Sequence, residues 1–90
     1  DWVEAADYYV SLHVGGRTHL LRKSMASLEA ELDPSRFVRV HRSAIVNVDR
    51  VTEMYQLFRG ESVIILEDGA RVRLSRARRE EFELRLRGTK

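Results

Sequence analysis

Three polar side chains stand in a row at His41, Arg42 and Ser43, and their types suit an anion or the edge of a nucleic-acid base. Arginine has a planar fork of donors that matches phosphate and guanine, whereas histidine and serine supply single directed hydrogen bonds. Before them, residues 37 to 40 alternate between the two sides of an extended chain, and an apolar pattern resumes at residue 44. The sequence therefore predicts two strands joined by a polar, cationic corner that can meet an anion.

A second concentration of positive charge lies at the start of the last predicted helix. Ser75 is a good N-cap, and the periodicity predicts a helix from Arg76 to about Arg87 with Phe82 and Leu86 turned inward. Its first turn carries arginine at positions 76, 78 and 79, where each cation opposes the helix macrodipole by about 0.3–1 kcal/mol. Residues placed against such a local preference are typical of functional sites. A docked phosphate would bind the arginines and the free N–H groups of the helix start together. The alternative is a frayed, charged helix end.

Length and composition restrict the class of protein. Ninety residues, 43% hydrophobic and 33% charged, predict one small globular domain over residues 1–90 rather than a disordered segment. No apolar run is long enough for a transmembrane helix, no signal peptide is visible, and the absence of cysteine excludes disulfides. These features predict a cytoplasmic protein with no membrane partner. Because the first residue is Asp1 and not methionine, we expect a fragment of a longer protein.

The sequence contains no arrangement that is typical of an enzyme. The histidines lack metal-ligand spacing, although His13 and His19 could face each other across a hairpin at Gly15 and Gly16. No serine has the setting of a nucleophile elbow, and no glycine-rich loop is built to hold phosphate. We therefore expect no catalytic site, no metal ion and no cofactor.

The rest of the chain reads mainly as short strands. Gly-Gly and Asp-Gly pairs each predict a hairpin turn, because such turns need positive φ. Ser24 is expected to cap a short helix from Met25 to Leu32, which Asp33-Pro34 ends. The predicted strands are Tyr8 to Val14, Arg17 to Leu21, the two on either side of the corner, Val48 to Met54, Val63 to Leu66, and Arg71 to Leu74. The predicted fold class is mostly β, with small antiparallel sheets, one short internal helix and a C-terminal helix.

The patterns also assign side chains to the core or to solvent. Trp2, Tyr9 and Leu12 are expected in the core rather than in a ligand platform, although residues 2 to 7 show only weak periodicity. In the last hairpin Val72 and Leu74 alternate with arginines, so we expect these two apolar side chains to face inward.

Residues 37–47, FVRVHRSAIVN, closely resemble the F-x-R-h-HRS-x-hVN signature (h, apolar) of the LytTR domain. That domain is the DNA-binding module of AlgR/AgrA/LytR-type bacterial transcription regulators. The similarity covers nearly the whole chain and continues through EAADYYVSLH, the short helix that ends in Asp33-Pro34, and the hairpin that ends in VRLSR. It implies a LytTR-like β-β-β arrangement with loops that reach bases in successive major grooves. It also implies an opening strand before Asp1 and an amino-terminal receiver or sensor domain outside this chain.

The resemblance assigns roles within the two polar stretches. Arg42 follows the histidine of the motif and would lie on a loop that reads bases, where arginine can bind guanine O6 and N7. His41 and Ser43, on either side of Arg42, would hold phosphate or brace that loop. Ser75 and Arg76 would begin a second base-reading loop. The resemblance does not decide which arginine of that loop reads a base. Lys23 would reach a phosphate or stay solvated. The predicted DNA-binding residues are Lys23, His41, Arg42, Ser43, Ser75, Arg76, Arg78 and Arg79.

Together, the residues and the resemblance predict sequence-specific binding of double-stranded DNA by the output domain of a bacterial transcription regulator. In the family two copies bind direct repeats, so a second copy of this chain on the DNA is an expected partner. One alternative is a small β-rich interaction module whose arginines meet an acidic protein. Another is RNA binding, which would favour exposed aromatic residues on a sheet. DNA binding through several arginines should weaken steeply with salt, and an acidic partner would show no preference for one sequence.

Overall fold

The structure is a computed structural model that describes residues 1–88, with eight strands in two antiparallel sheets and two α-helices. The elements are β1 (Trp2–Ala6), β2 (Tyr9–Val14), β3 (Arg17–Leu21), α1 (Met25–Glu31), β4 (Phe37–His41), β5 (Ala44–Asn47), β6 (Val51–Gln56), β7 (Ser62–Leu66), β8 (Arg71–Leu74) and α2 (Arg79–Gly88). One sheet has the order β3-β2-β1-β5-β4 and the other the order β6-β7-β8. The predicted fold class is confirmed. No helix within residues 1–88 is long and apolar enough to cross a membrane.

Glycine closes both predicted hairpins. Gly15 and Gly16 join β2 to β3 with φ values of 55° and 82°, in the left-handed region that favours glycine. Gly69 has φ 89° and donates its N–H to the carbonyl of Leu66 at 2.9 Å in the turn between β7 and β8. Both turns therefore follow from local backbone chemistry, as the Gly-Gly and Asp-Gly pairs predicted.

The register of the first hairpin separates His13 and His19, the two histidines that could have faced each other across its strands. His13 pairs with Thr18, whereas His19 pairs with Leu12. Because neighbouring residues in a strand point to opposite faces, the two imidazole rings lie on opposite sides of the sheet and do not face each other. His13 instead stacks on Trp2 with ring centroids 4.3 Å apart. Within residues 1–88, no group of three or more histidines and carboxylates is placed to hold a metal ion.

Strand β5 is buried on both faces and separates two apolar clusters. Ile45 belongs to the cluster under α1, and its neighbours Ala44 and Val46 belong to the cluster shared with the second sheet and α2. The first cluster consists of Val3, Val10, Met25, Leu28 and Ile45. The second consists of Val38, Val40, Ala44, Val46, Val48, Ile64, Leu66, Val72, Leu74 and Phe82. Because β5 packs against both clusters, it fixes the end of the polar corner that leads into it.

Three details differ from the sequence predictions. Residues 2–6 form strand β1 despite their weak periodicity, because Val3 packs under α1 while Trp2 packs on the opposite cluster. Tyr9, expected in the core, is 43% exposed. Val48–Arg50 form a 3₁₀ turn rather than a strand, since the Asn47 side chain accepts the N–H of Asp49 at 2.9 Å and turns the chain.

Helix α1 begins and ends close to the predicted positions. The hydroxyl of Ser24 accepts the N–H of Ser27 at 3.0 Å, which is the expected N-cap. Beyond the last helical residue, Glu31, the Asp33 carboxylate accepts the backbone N–H and the hydroxyl of Ser35 at 2.9 and 2.7 Å. These hydrogen bonds lower the pKa of Asp33, because they favour the ionised carboxylate. The chain then enters β4.

Candidate nucleic-acid interface

The predicted cationic corner is a tight turn between β4 and β5. Arg42 lies at its tip and is exposed. The His41 ring accepts the backbone N–H of Ser43 through Nδ1 at 3.2 Å, so in this structure the histidine braces the turn. The pairing of β4 with β5 shifts register between Arg39 and His41. Such a bulge redirects side chains, and here it lies directly beside Arg42.

Arg39 holds this turn in place, although the sequence analysis did not select it as a site residue. Its guanidinium donates to the carbonyls of His41 at 3.3 Å and Arg42 at 2.6 Å, and to Glu29 Oε1 at 2.9 Å. The side chain is only 15% exposed. The alternation of β4 already placed Arg39 on the same side as His41, and that was the available signal. One planar cation thus connects α1 to both carbonyls of the turn.

We expect Arg39→Lys to loosen the turn without changing the charge of the domain. A lysine ammonium cannot reproduce the planar fork, so at least one turn carbonyl loses its donor, and the free energy of unfolding falls by about 1 kcal/mol. Urea denaturation measures that change, and hydrogen exchange at the Ser43 amide reports opening of the turn. Arg36→Lys changes an exposed arginine before β4 and is the matched control. Unchanged stability and unchanged Ser43 exchange would show that Arg39 does not hold the turn.

The second polar stretch starts with a 3₁₀ turn instead of the predicted α-helix. Residues Arg76–Arg78 form this turn, and α2 begins at Arg79. The Ser75 hydroxyl makes no capping hydrogen bond, and the Ser75 carbonyl accepts the N–H of Arg78 at 3.1 Å. The prediction that Ser75 caps a helix beginning at Arg76 was therefore wrong. The cause is the tighter i→i+3 hydrogen bond, which is common where an α-helix starts.

The three arginines of this stretch have different surroundings. Arg79 Nε donates to Glu83 Oε2 at 2.7 Å, one helical turn later. Arg76 is exposed, and its side chain lies over Gly60, where an added Cβ would come 3.1 Å from Arg76 Cδ. Arg78 is half-buried. Within residues 1–88, Arg76 and Arg78 form no ion pair, so their charges are not neutralised by a neighbouring carboxylate.

One long-range hydrogen bond brings the two polar stretches to the same end of the molecule, and a second brings the turn between β1 and β2 there as well. The N–H of Ser75 donates to the carbonyl of Val40 at 2.8 Å, one residue before the corner. The N–H of Ala5 donates to the carbonyl of Ser43 at 2.8 Å, so the turn between β1 and β2 adjoins the corner on its other side. We call this end, formed by residues 41–43 and 75–79, the arginine end.

Lys23 lies farther along the same end. It lines a surface depression with Asp7 and Tyr8, which form the turn between β1 and β2. Its ammonium group binds the carboxylate of Glu31 at the end of α1. Lys23 is therefore near the corner in space, but it is paired and only partly exposed.

The opposite end of the molecule has mixed charge. Asp1, Arg50, Glu67 and Asp68 gather there around the Gly15-Gly16 turn. Arg50 is held by Asp1 at 3.5 Å and by Glu67 at 3.2 Å. By contrast, Arg42 has no ion-pair partner within residues 1–88. The arginine end therefore holds three arginines without an ion-pair partner within residues 1–88, Arg42, Arg76 and Arg78, and such a group of charges suits a polyanion.

Comparisons with known proteins agree on one family. The model of the LytTr DNA-binding domain matches residues 1–87. A response regulatory protein of Vibrio cholerae is 37% identical over 87 residues, which cover 92% of this chain and 33% of that protein. The sensory transduction protein LytT of Bacillus anthracis is 30% identical over 86 residues, which cover 96% of this chain and 35% of that protein.

A solved structure shows the same architecture. The LytTr DNA-binding domain of a Bacillus cereus response regulator superposes with a TM-score of 0.86 at 27% identity. The superposition covers 94% of this chain and 78% of that one. The chain spans about a third of the length of the curated relatives that it matches.

Proposed function

This chain belongs to the LytTr DNA-binding domain family, and on that premise we propose that it binds double-stranded DNA in a sequence-specific manner. It does so as the output domain of a bacterial response regulator that controls transcription. The observation that carries the proposal is the 2.8 Å hydrogen bond from Ser75 to Val40, which sets the two arginine-bearing segments side by side. Two segments that project from one end of rigid sheets can enter the duplex together.

In this proposal the corner is the main base-reading element. Arg42 is exposed at the tip of a turn that Arg39 and His41 brace from within. A braced arginine can present both donors to O6 and N7 of one guanine in the major groove. The Ser43 hydroxyl would bind a phosphate beside that base. Ser75 and Arg76 would form the second base-contacting segment.

The remaining cations would bind phosphates. Arg78 has no ion-pair partner within residues 1–88, whereas Arg79 and Lys23 are paired with Glu83 and Glu31. Ion pairs this exposed contribute only about 0–1 kcal/mol, so either cation can exchange its glutamate for a phosphate at small cost. Such contacts would orient the domain without selecting a sequence.

We expect Arg79→Ala to weaken binding to a target duplex and to a random duplex by the same factor. One phosphate contact would be lost, so the slope of log affinity against log salt should fall by about 1. Fluorescence anisotropy titrations at several salt concentrations measure both quantities.

Arg17→Ala is the matched control, because it removes the same charge at the hairpin end of the molecule. Its affinity and salt slope should match those of the wild type. An equal effect of the two substitutions would mean that net charge, rather than a contact at Arg79, governs binding.

The proposed partners follow from the family and from the length of the relatives. Two copies would bind direct repeats in head-to-tail arrangement. The remaining two-thirds or so of the related proteins leaves room for an amino-terminal receiver or sensor domain. Regulation of bacterial transcription would place the protein in the cytoplasm.

Selection of bound duplexes from a random pool tests the function directly. We expect the wild-type domain to enrich a repeated motif, and binding to that motif to weaken steeply with salt. Failure of a folded domain to enrich any sequence would overturn sequence-specific binding. Displacement by an acidic protein, with no preferred duplex, would favour the interaction module instead.

A further inference from the structure

The turn between β6 and β7 exposes a large aromatic side chain. Phe58 is 92% exposed, and Leu57 before it is 43% exposed. Single exposed apolar residues are common on protein surfaces, so exposure alone carries little meaning. Two further observations concern Phe58: the turn that holds it, and the arginine segment that this turn contacts.

The backbone holds Phe58 at the tip of a defined turn. The N–H of Leu57 donates to the carbonyl of Glu61 at 2.7 Å, which closes the turn at its base. Arg59 has φ 63° and Gly60 has φ 80°, so two successive residues adopt the left-handed conformation. Such a conformation is uncommon for arginine, and it bends the chain sharply directly after Phe58.

This tip belongs to the arginine end. The sheet register aligns Gln56 with Ser62 and Ser62 with Leu74, so the turn emerges beside the start of the 75–79 segment. Gly60 lies directly against Arg76, since an added Cβ would come 3.1 Å from Arg76 Cδ. The exposed ring therefore lies on a turn that contacts Arg76 at the arginine end, the surface that is proposed to meet DNA.

We propose that Phe58 is an apolar wedge that enters between stacked base pairs of the bound duplex and kinks it. This inference rests on the proposed function. Apolar side chains on DNA-binding proteins unstack base steps in this way, and the bend lets more of the protein contact the duplex. Arg59 and Arg76, one beside the ring in sequence and the other against Gly60, would neutralise phosphates on either side of the opened step. The step under the ring should be a pyrimidine–purine step, because these unstack most easily.

The test compares Phe58→Ala with the wild type on the duplex that the wild-type domain selects. Energy transfer between dyes at the two duplex ends reports the bend. The fluorescence of 2-aminopurine, placed at successive positions, reports the unstacked step. We expect Phe58→Ala to bind about tenfold more weakly, with a smaller bend and no fluorescence increase. The salt slope should not change, because no phosphate contact is lost.

Two further variants control the comparison. Phe58→Leu keeps an apolar wedge and should retain most of the affinity and of the bend. Leu84→Ala removes an exposed apolar side chain from α2 and should bind like the wild type. Phe58→Ala, Phe58→Leu and Leu84→Ala should all melt at the temperature of the wild type, because the side chains of Phe58 and Leu84 are largely solvent-exposed.

The outcomes separate this inference from the proposed function. If the wild type binds and bends its duplex and Phe58→Ala behaves identically, the wedge is refuted, and the ring is left as a contact for another protein surface. If the wild-type domain binds no duplex, the proposed function fails, and the wedge fails with it.

Discussion

Arg42→Ala is expected to discriminate between the selected duplex and a random duplex much less than the wild type does. A bidentate contact between arginine and guanine contributes about 1–3 kcal/mol of discrimination, which is roughly a 5- to 150-fold preference for the target. The loss should fall mainly on the target, because phosphate contacts elsewhere in the interface still hold random DNA. Arg42 is exposed at the turn, so the free energy of unfolding should not change measurably.

Parallel selection with the wild type and Arg42→Ala measures this effect. The motif selected by the mutant should show a weaker base preference at one position of each repeat. Arg42→Lys is the informative control, since it keeps the charge but loses the fork that matches guanine. It should bind random DNA like the wild type while discriminating less. An equal loss on target and random DNA for Arg42→Ala would refute the base-reading role of this side chain.

Phe82→Ala should reduce the free energy of unfolding by about 3–5 kcal/mol, the largest effect we expect from one substitution. The ring is completely buried in the cluster between the two sheets and α2. Truncation would remove its transfer free energy and leave a cavity that packed strands cannot fill. Because small domains are stable by only about 5–15 kcal/mol, this variant should be close to unfolding at physiological temperature.

Urea denaturation followed by the fluorescence of Trp2, the one tryptophan of the chain, measures this loss. Trp2 packs against the same cluster and therefore reports its disruption. Phe82→Leu should cost much less, about 1 kcal/mol, because it leaves a smaller void. Leu84→Ala, on the exposed side of the same helix, should change stability by less than about 0.5 kcal/mol. A loss below about 1 kcal/mol for Phe82→Ala would show that α2 does not anchor the arginine segment.

The Phe82 result also bears on DNA binding. Helix α2 packs against β4, and the 3₁₀ turn at Arg76–Arg78 joins α2 to the second sheet. If the helix detaches, this segment loses its fixed position beside the corner. The remaining folded protein should then bind random DNA through Arg42 and its neighbours but discriminate poorly.

The sequence by itself determined the features that depend on neighbouring residues. Gly15 and Gly69 mark hairpin turns, because the left-handed backbone conformation costs little free energy only for glycine. Ser24 caps α1 through its own hydroxyl, and the alternation of β8 buries Val72 and Leu74 as predicted. The polar corner is likewise a local feature, since an alternating run before it and an apolar run after it are typical of two strands joined by a turn.

Only the tertiary structure decided which distant residues meet. The bond from Ser75 to Val40 depends on how the second sheet packs on the first, and no local pattern encodes that arrangement. The same packing decides that Tyr9 stays exposed. Arg39 is linked to α1 as well as to the turn, because the fold places Glu29 beside its guanidinium. Phe58 joins the arginine end only because Gly60 lies against Arg76. Periodicity records which face of an element is apolar, whereas the partner of that face is set by packing across the whole chain.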